Sequence, residues 1–185
     1  METISKYTFK FRFYAGLVMM FAWTVSSPIF KTYYGLLDAA LFGVIGMWVA
    51  IVGLSQKWLR ENFTVIELLK MLIIFDILFV IATTILVNIN IKWLLIFELL
   101  ADGPYFALLK AQSAKMENLY LGRFKPTQIE KIRNSLTQTQ LWANLFGLAS
   151  GALLGWLTQD IIIAVLVRNI LIIGGIILEL KAIKA

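Results

Sequence analysis

Six stretches of 17–21 largely apolar residues, separated by polar breaks, decide what this chain can fold into. They are Phe11–Phe30, Gly35–Ser55, Met71–Val87, Trp93–Ser113, Leu136–Trp156 and Ile161–Leu180. At 1.5 Å of rise per residue, ~20 helical residues match a hydrocarbon core of ~30 Å. An aqueous globule could not hide them. The 185 residues are 60% hydrophobic with a mean hydropathy of +0.82, well beyond ordinary soluble usage, and a domain this small leaves too much of its surface exposed. The apolar residues also run unbroken instead of forming one-sided stripes. The expected fold is therefore all-α: one polytopic domain over residues 1–185, with six transmembrane helices and the lipid bilayer as its solvent.

The basic residues set the orientation. Cytoplasmic loops of membrane proteins carry an excess of Lys and Arg. With the amino terminus inside, 14 of the 17 basic residues fall on the cytoplasmic side, only Lys31 and Lys92 fall outside, and Arg168 is left within the sixth helix. The inverted arrangement would put nearly all of them on the wrong side. Both termini are thus expected in the cytoplasm of a multi-pass protein of a plasma membrane, the inner membrane of a bacterium. The same bias explains the net charge of +6, so no nucleic-acid partner is inferred. The first apolar run lacks a small-residue cleavage site and reads as a retained helix.

The chain has no cysteine and no histidine, which removes thiol, imidazole and Cys/His metal chemistry. Phosphate-binding glycine loops and Ser–His or Cys–His arrangements are also missing from the sequence. The reading is a non-enzyme without cofactor or bound metal.

Charges within the spans carry the functional expectation, since each costs roughly 2.5–3.5 kcal/mol on insertion scales. Asp76, Glu98, Asp102 and Arg168 stand out. Counting rise per residue puts Glu98 and Asp102 about 9 and 15 Å from the outer end of the fourth helix, and Arg168 about 11 Å along the sixth. Asp76 falls about 8 Å from the cytoplasmic end of the third. Arg168 thus shares a layer with both acids of the fourth helix, and two readings stay open: a substrate or ion site, or an ion pair that only locks helices together. Glu98, Asp102, Tyr105 and Gln112 follow one helical face. Gly103-Pro104 interrupts that helix beside Asp102, where a kink is expected. Two acids one turn apart in a low-dielectric site do not both ionise readily, which marks Asp102 for a proton or cation.

On the fifth helix Thr137, Gln140 and Asn144 share one face, continued by the small-residue run Ala143, Gly147, Gly151 and Gly155. Such spacing admits a second helix at close range, either within one bundle or from another subunit. Before it, Pro126 followed by Thr127-Gln-Ile-Glu130 reads either as a short surface helix running into the fifth span or as a solvated basic loop.

Three stretches resemble one half of a major facilitator superfamily transporter. These are the aromatic first helix ending in Ser26-Ser27-Pro28-Ile29-Phe30, the charged loop after the second helix, and the fifth helix ending Gly151-Ala-Leu-Leu-Gly155-Trp156-Leu-Thr-Gln-Asp160. The family's acidic-and-basic loop after helix two is only partly matched, because Gly53-Leu-Ser-Gln-Lys57-Trp-Leu-Arg60 keeps the basic residues without the Asp or the second Gly. The resemblance implies a small secondary transporter or half-transporter, proton- or cation-coupled, whose homodimer rebuilds twelve helices around a cavity for a small molecule or ion. Helices one and four would line that cavity, with two and five facing the other half. In that frame Glu98 and Asp102 bind the cation, Gln140 and Asn144 add polar contacts, and Asp76 and Arg168 fall on peripheral helices. The alternatives are a substrate-binding subunit of a larger uptake complex, or a non-transporting interaction or immunity protein.

The orientation is directly testable because the chain is free of cysteine. A Lys92→Cys variant in intact cells should react with a membrane-impermeant maleimide, and Lys125→Cys only after permeabilisation. The opposite pattern would invert the topology.

Overall fold

The fold, a computed structural model, is described for residues 4–33, 51–52, 54–158 and 160–184. Among these residues it is built of helices and has no strand. A short 3-10 turn, Ile4–Tyr7, leads into α1 (Thr8–Tyr33). A helical stretch over 54–62, here α2, precedes α3 (Val65–Ile89), α4 (Ile91–Leu121), α5 (Pro126–Thr158) and α6 (Ile161–Lys184). Most of the second expected span, Gly35–Ser55, lies outside the described residues.

Local chemistry explains where these helices start. Thr64 and Glu67 form a reciprocal capping box, so α3 begins six residues before the expected Met71. A single residue, Asn90, joins α3 to α4. Its backbone N–H closes the last turn of α3 on Leu86, while its side chain accepts from Lys92 N at 2.9 Å. Pro126 opens α5, where its missing N–H is no loss, and the helix runs without a break into the apolar segment. Of the two readings of that stretch, the helix is therefore the one observed. Asp160 accepts from Ile162 N at 2.8 Å and starts α6.

The fourth helix does not end at Gly103-Pro104. Pro104 sits inside an unbroken helix of 31 residues. A proline deletes one ladder bond, and here the flanking turns carry the helix past it.

Contacts along the helices fix their directions. Gln140, Asn144, Gly147 and Gly151 of α5 meet Arg12, Gly16, Leu17 and Phe21 of α1 in ascending order, so these two run parallel. Against α3, Val87 clusters with Leu94 of α4 and Val165 of α6, whereas Leu69 clusters with Met116 and Ala182. Both α4 and α6 are thus antiparallel to α3, which lies between them. Phe11 joins the Leu69 end and Val18 the Ile172–Ile176 cluster, so α1 runs with α3 and against α6. Helices α1, α3 and α5 share one direction; α4 and α6 take the other.

The glycine stripe of α5 is occupied within the chain. A Cβ added at Gly147 would lie 2.5 Å from Leu17 O, one at Gly151 2.7 Å from Phe21 O, and one at Gly16 2.6 Å from Asn144 Oδ1. Ala143 between them is fully buried. Gly155 is half-buried, nearer the end of the helix.

Polarity is distributed inside out. Helix α6 buries Arg168, Asn169 and Glu179 while exposing Ile162, Ile163, Leu166, Ile170, Ile173 and Ile177. Helix α3 likewise buries Asp76 and Thr83 and exposes Ile74, Ile77, Leu78, Ile81 and Ile85. A water-soluble monomer does not carry apolar faces of that extent. Three helices, α3, α5 and α6, are long and apolar enough to cross a membrane.

Gly151→Leu should lower thermal stability by roughly 1–3 kcal/mol, the usual range for overpacking, because its side chain meets the α1 backbone. Ala152→Leu, on the exposed face, should leave the unfolding temperature of the detergent-purified protein nearly unchanged. Equal behaviour of the two variants would contradict the α1–α5 contact.

Candidate functional site

Two polar layers cross the α3–α4–α6 unit. In the first, Arg168 Nη1 donates to Glu98 Oε1 at 2.6 Å, with both side chains buried. The guanidinium reaches α4 across α3, its carbon 5.0 Å from the centre of the Phe79 ring, where the ring face favours a cation. Phe79 is also packed against Phe97 of α4, at 5.7 Å between ring centres. Nε and Nη2 of Arg168 are buried without a hydrogen-bond partner. The neighbouring Asn169 donates from Nδ2 to Thr84 Oγ1 at 2.9 Å and to Thr83 Oγ1 at 3.1 Å. The Thr83 hydroxyl in turn donates to Phe79 O at 2.8 Å.

Asp102 stands one turn beyond Glu98 and lies in the field of both Glu98 and Arg168. Unlike Glu98, its side chain is exposed by area although densely surrounded. The depth match from rise per residue thus corresponds to an ion pair for Glu98 and to an exposed position for Asp102.

The second layer holds Asp76 of α3 and Glu179 of α6, each 4% exposed. Tyr105 of α4 lies in the field of both acids and of Asp102, and its ring centre is 5.8 Å from that of Phe75. Gln112, the last member of the expected α4 stripe, is fully buried and donates to Met116 Sδ at 2.7 Å.

Gln140 and Asn144 belong to a different neighbourhood. Gln140 Oε1 accepts from Arg12 Nη1 at 2.9 Å, and Arg12 Nη2 pairs with Glu117 of α4. Glu117 also reaches Arg133 Nε at 3.5 Å. Asn144 faces Gly16, its Oδ1 buried without a hydrogen bond. The structure therefore gathers Asp76, Glu98, Asp102, Tyr105 and Arg168 on α3, α4 and α6, and ties Gln140 and Asn144 to α1.

Three participants escaped the sequence reading. Asn169 and Thr83 carry no charge, so a search for charges within apolar runs passes over them. Glu179 sits beside Leu180 and Lys181, where a span reads as ending. Its spacing held a signal nonetheless: Arg168, Ile172, Ile176 and Glu179 recur at four, four and three residues, one face of a helix. No family model, curated protein or solved structure matches the chain.

Breaking one side of a buried ion pair typically costs about 3–5 kcal/mol, because the other charge stays buried alone. Arg168→Met should show a loss of that order in detergent-solubilised protein, and adding Glu98→Gln should restore a large part of it. Additive losses in the double variant would show that the two side chains do not depend on each other.

Proposed function

We propose that the protein is a small secondary transporter of a plasma membrane, with six spans and both termini in the cytoplasm, working as one half of a homodimer. Support for the topology comes from the alternating directions of the helices. α1 runs with α3 and α5, and the one-residue turn at Asn90 returns α4 alongside α3, so a membrane crossed by α3 is crossed by α4 as well. The basic-residue asymmetry of 14 against 2 then orients the bundle.

The observation that carries the functional reading is the contrast between two acids on one face of α4. Glu98 is neutralised by Arg168, whereas Asp102, one turn away, is open at the surface of the chain. A carboxylate at that depth facing hydrocarbon would be strongly unfavourable. It belongs in a water-filled cavity or against another subunit, and a two-fold homodimer supplies both. Asp102 is then the residue that binds the transported cation or cationic group, with Glu98–Arg168 holding α4 and α6 in register around it. This agrees with the resemblance to a half-transporter, in which the fourth helix lines the cavity.

Asp102→Asn keeps the shape of the side chain and removes its charge. In proteoliposomes with an imposed pH gradient, added sodium, potassium or tetraethylammonium should collapse the gradient with the unaltered protein. The Asp102→Asn variant should slow that collapse by at least about tenfold, equivalent to a loss of ~1.4 kcal/mol, while Glu130→Gln should not. Unchanged exchange in well-folded Asp102→Asn protein would remove Asp102 from the transport path. A strictly monomeric mass in lipid nanodiscs would remove the half-transporter reading.

A further inference from the structure

The Asp76–Glu179 layer is not needed for the reading above, and its chemistry differs from that of the Glu98–Arg168 pair. Asn169 hydrogen-bonded to Thr83 sets the antiparallel register of α3 and α6. From that point Asp76 lies seven residues back along α3 and Glu179 ten residues on along α6. At 1.5 Å per residue the two acids stand within about 5 Å of one another along the helix axes. The register agrees with the clusters in which Val87 of α3 meets Val165 of α6 and Leu69 meets Ala182. Each acid lies on the buried face of its helix.

Among the described residues neither acid is paired with a cation. The charged group that bears on Glu179 is Asp76, and from α4 the neutral Tyr105 lies in the field of both acids. From α1 the nearby titratable group is Tyr14, whose hydroxyl donates to Leu171 O at 2.7 Å and which packs against Gly174 and Gly175. Arg168 lies at the level of Thr83, already joined to Glu98. Glu179 is only 4% exposed, and its Oε2 is fully enclosed and accepts no hydrogen bond. An enclosed carboxylate oxygen without a donor is a costly arrangement, and two enclosed carboxylates at nearly one level of adjacent helices without a counter-charge are more costly still. A bound proton relieves that cost.

We propose that Asp76 and Glu179, between α3 and α6 and facing Tyr105 of α4, form an intramembrane proton-binding site separate from the Glu98–Arg168 pair. The proposal rests on the membrane-transporter reading for its purpose, since a proton held there can be exchanged during transport. A proton fits the surroundings better than an alkali cation. Sodium and potassium sites in secondary transporters draw on carbonyls freed by unwound backbone, whereas α3 and α6, which carry the two acids, are continuous. Among the described residues no three acids gather as a metal site. A proton bound there removes a buried charge that no counter-ion offsets, and with it the larger part of the cost of enclosing Glu179 Oε2.

The test is infrared difference spectroscopy of the full-length protein in lipid, stepped between neutral and alkaline pH. It needs no substrate, so it stands or falls independently of any transport assay. The unaltered protein should show the carbonyl band of a protonated carboxylic acid at neutral pH, and the band should disappear on alkalinisation. Carbon-13 labelling of the Glu or Asp side-chain carboxyls should shift it, assigning it without any substitution. Asp76→Asn and Glu179→Gln should each diminish or remove the band, and Glu98→Gln should leave it. The proposal is overturned if no such band exists, if it survives both variants, or if it appears only when sodium and potassium are withheld. The last outcome would make an alkali ion the resident charge.

Discussion

Everything in this bundle follows from having polar groups inside and apolar groups outside. A hydrophobic surface in contact with lipid gains nothing by being buried, so the usual driving force for packing helices together is missing. What remains is close backbone approach, hydrogen bonds and paired charges. The protein uses each of these at a different helix pair. α1 and α5 approach through Gly16, Gly147 and Gly151, where no Cβ would fit. α3 and α6 are joined by Asn169 with Thr83 and Thr84. α4 is drawn to α6 by Glu98 and Arg168 across the face of Phe79.

This division of labour makes α3 the central element. It contacts α4 on one side and α6 on the other, and both polar layers pass across it. Phe79 and Phe75 separate the layers with aromatic packing, since Phe79 stacks on Phe75 at 6.4 Å and each ring also meets α4. Arg168 and Asn169 are thereby held at one level, and Asp76 and Glu179 at another. Asp102 and Tyr105, less than one turn apart on α4, connect the two: Asp102 lies in the field of Arg168, and Tyr105 in that of Asp76 and Glu179.

How much of this was legible in the sequence depended on whether the signal was local. The close-packing role of the α5 glycines could be read from residue type and spacing alone, whereas the residues after Pro126 allowed both a helix and a solvated loop. The Glu98–Arg168 contact could be reached from rise per residue once the spans were drawn, because the two residues fall at similar depths from the same side. The capping box at Thr64 and Glu67 was equally local and went unread, which misplaced the start of α3. Glu179 was hidden for a different reason. Its partner is set by the register of α3 against α6, and that register depends on an uncharged Asn169–Thr83 contact that no count of charges reveals. The Arg12–Glu117–Arg133 cluster was hidden in the same way, since its basic members were counted only as charges that orient the chain.

The fate of the glycine stripe bears on how two copies could meet. Spacing alone left it open whether Gly147 and Gly151 face a helix of the same chain or of a second one. They face α1, with the backbone oxygens of Leu17 and Phe21 filling the space a side chain would need. A second subunit cannot use that surface without displacing α1. The outward side of α5, with Leu141, Trp142, Leu145 and Phe146 exposed, is apolar in the manner of a lipid-facing wall, and the hydroxyl of the exposed Ser150 is already engaged with Phe146 O at 2.7 Å. The exposed side of α4 is different, because Asp102 lies on it beside Pro104. An assembly that covers Asp102 gains a polar, water-accessible centre, and one that covers α5 gains only what lipid already provides. The homodimer of the proposed half-transporter is therefore expected to close over α4 and to leave the α1–α5 pair intact at its edge.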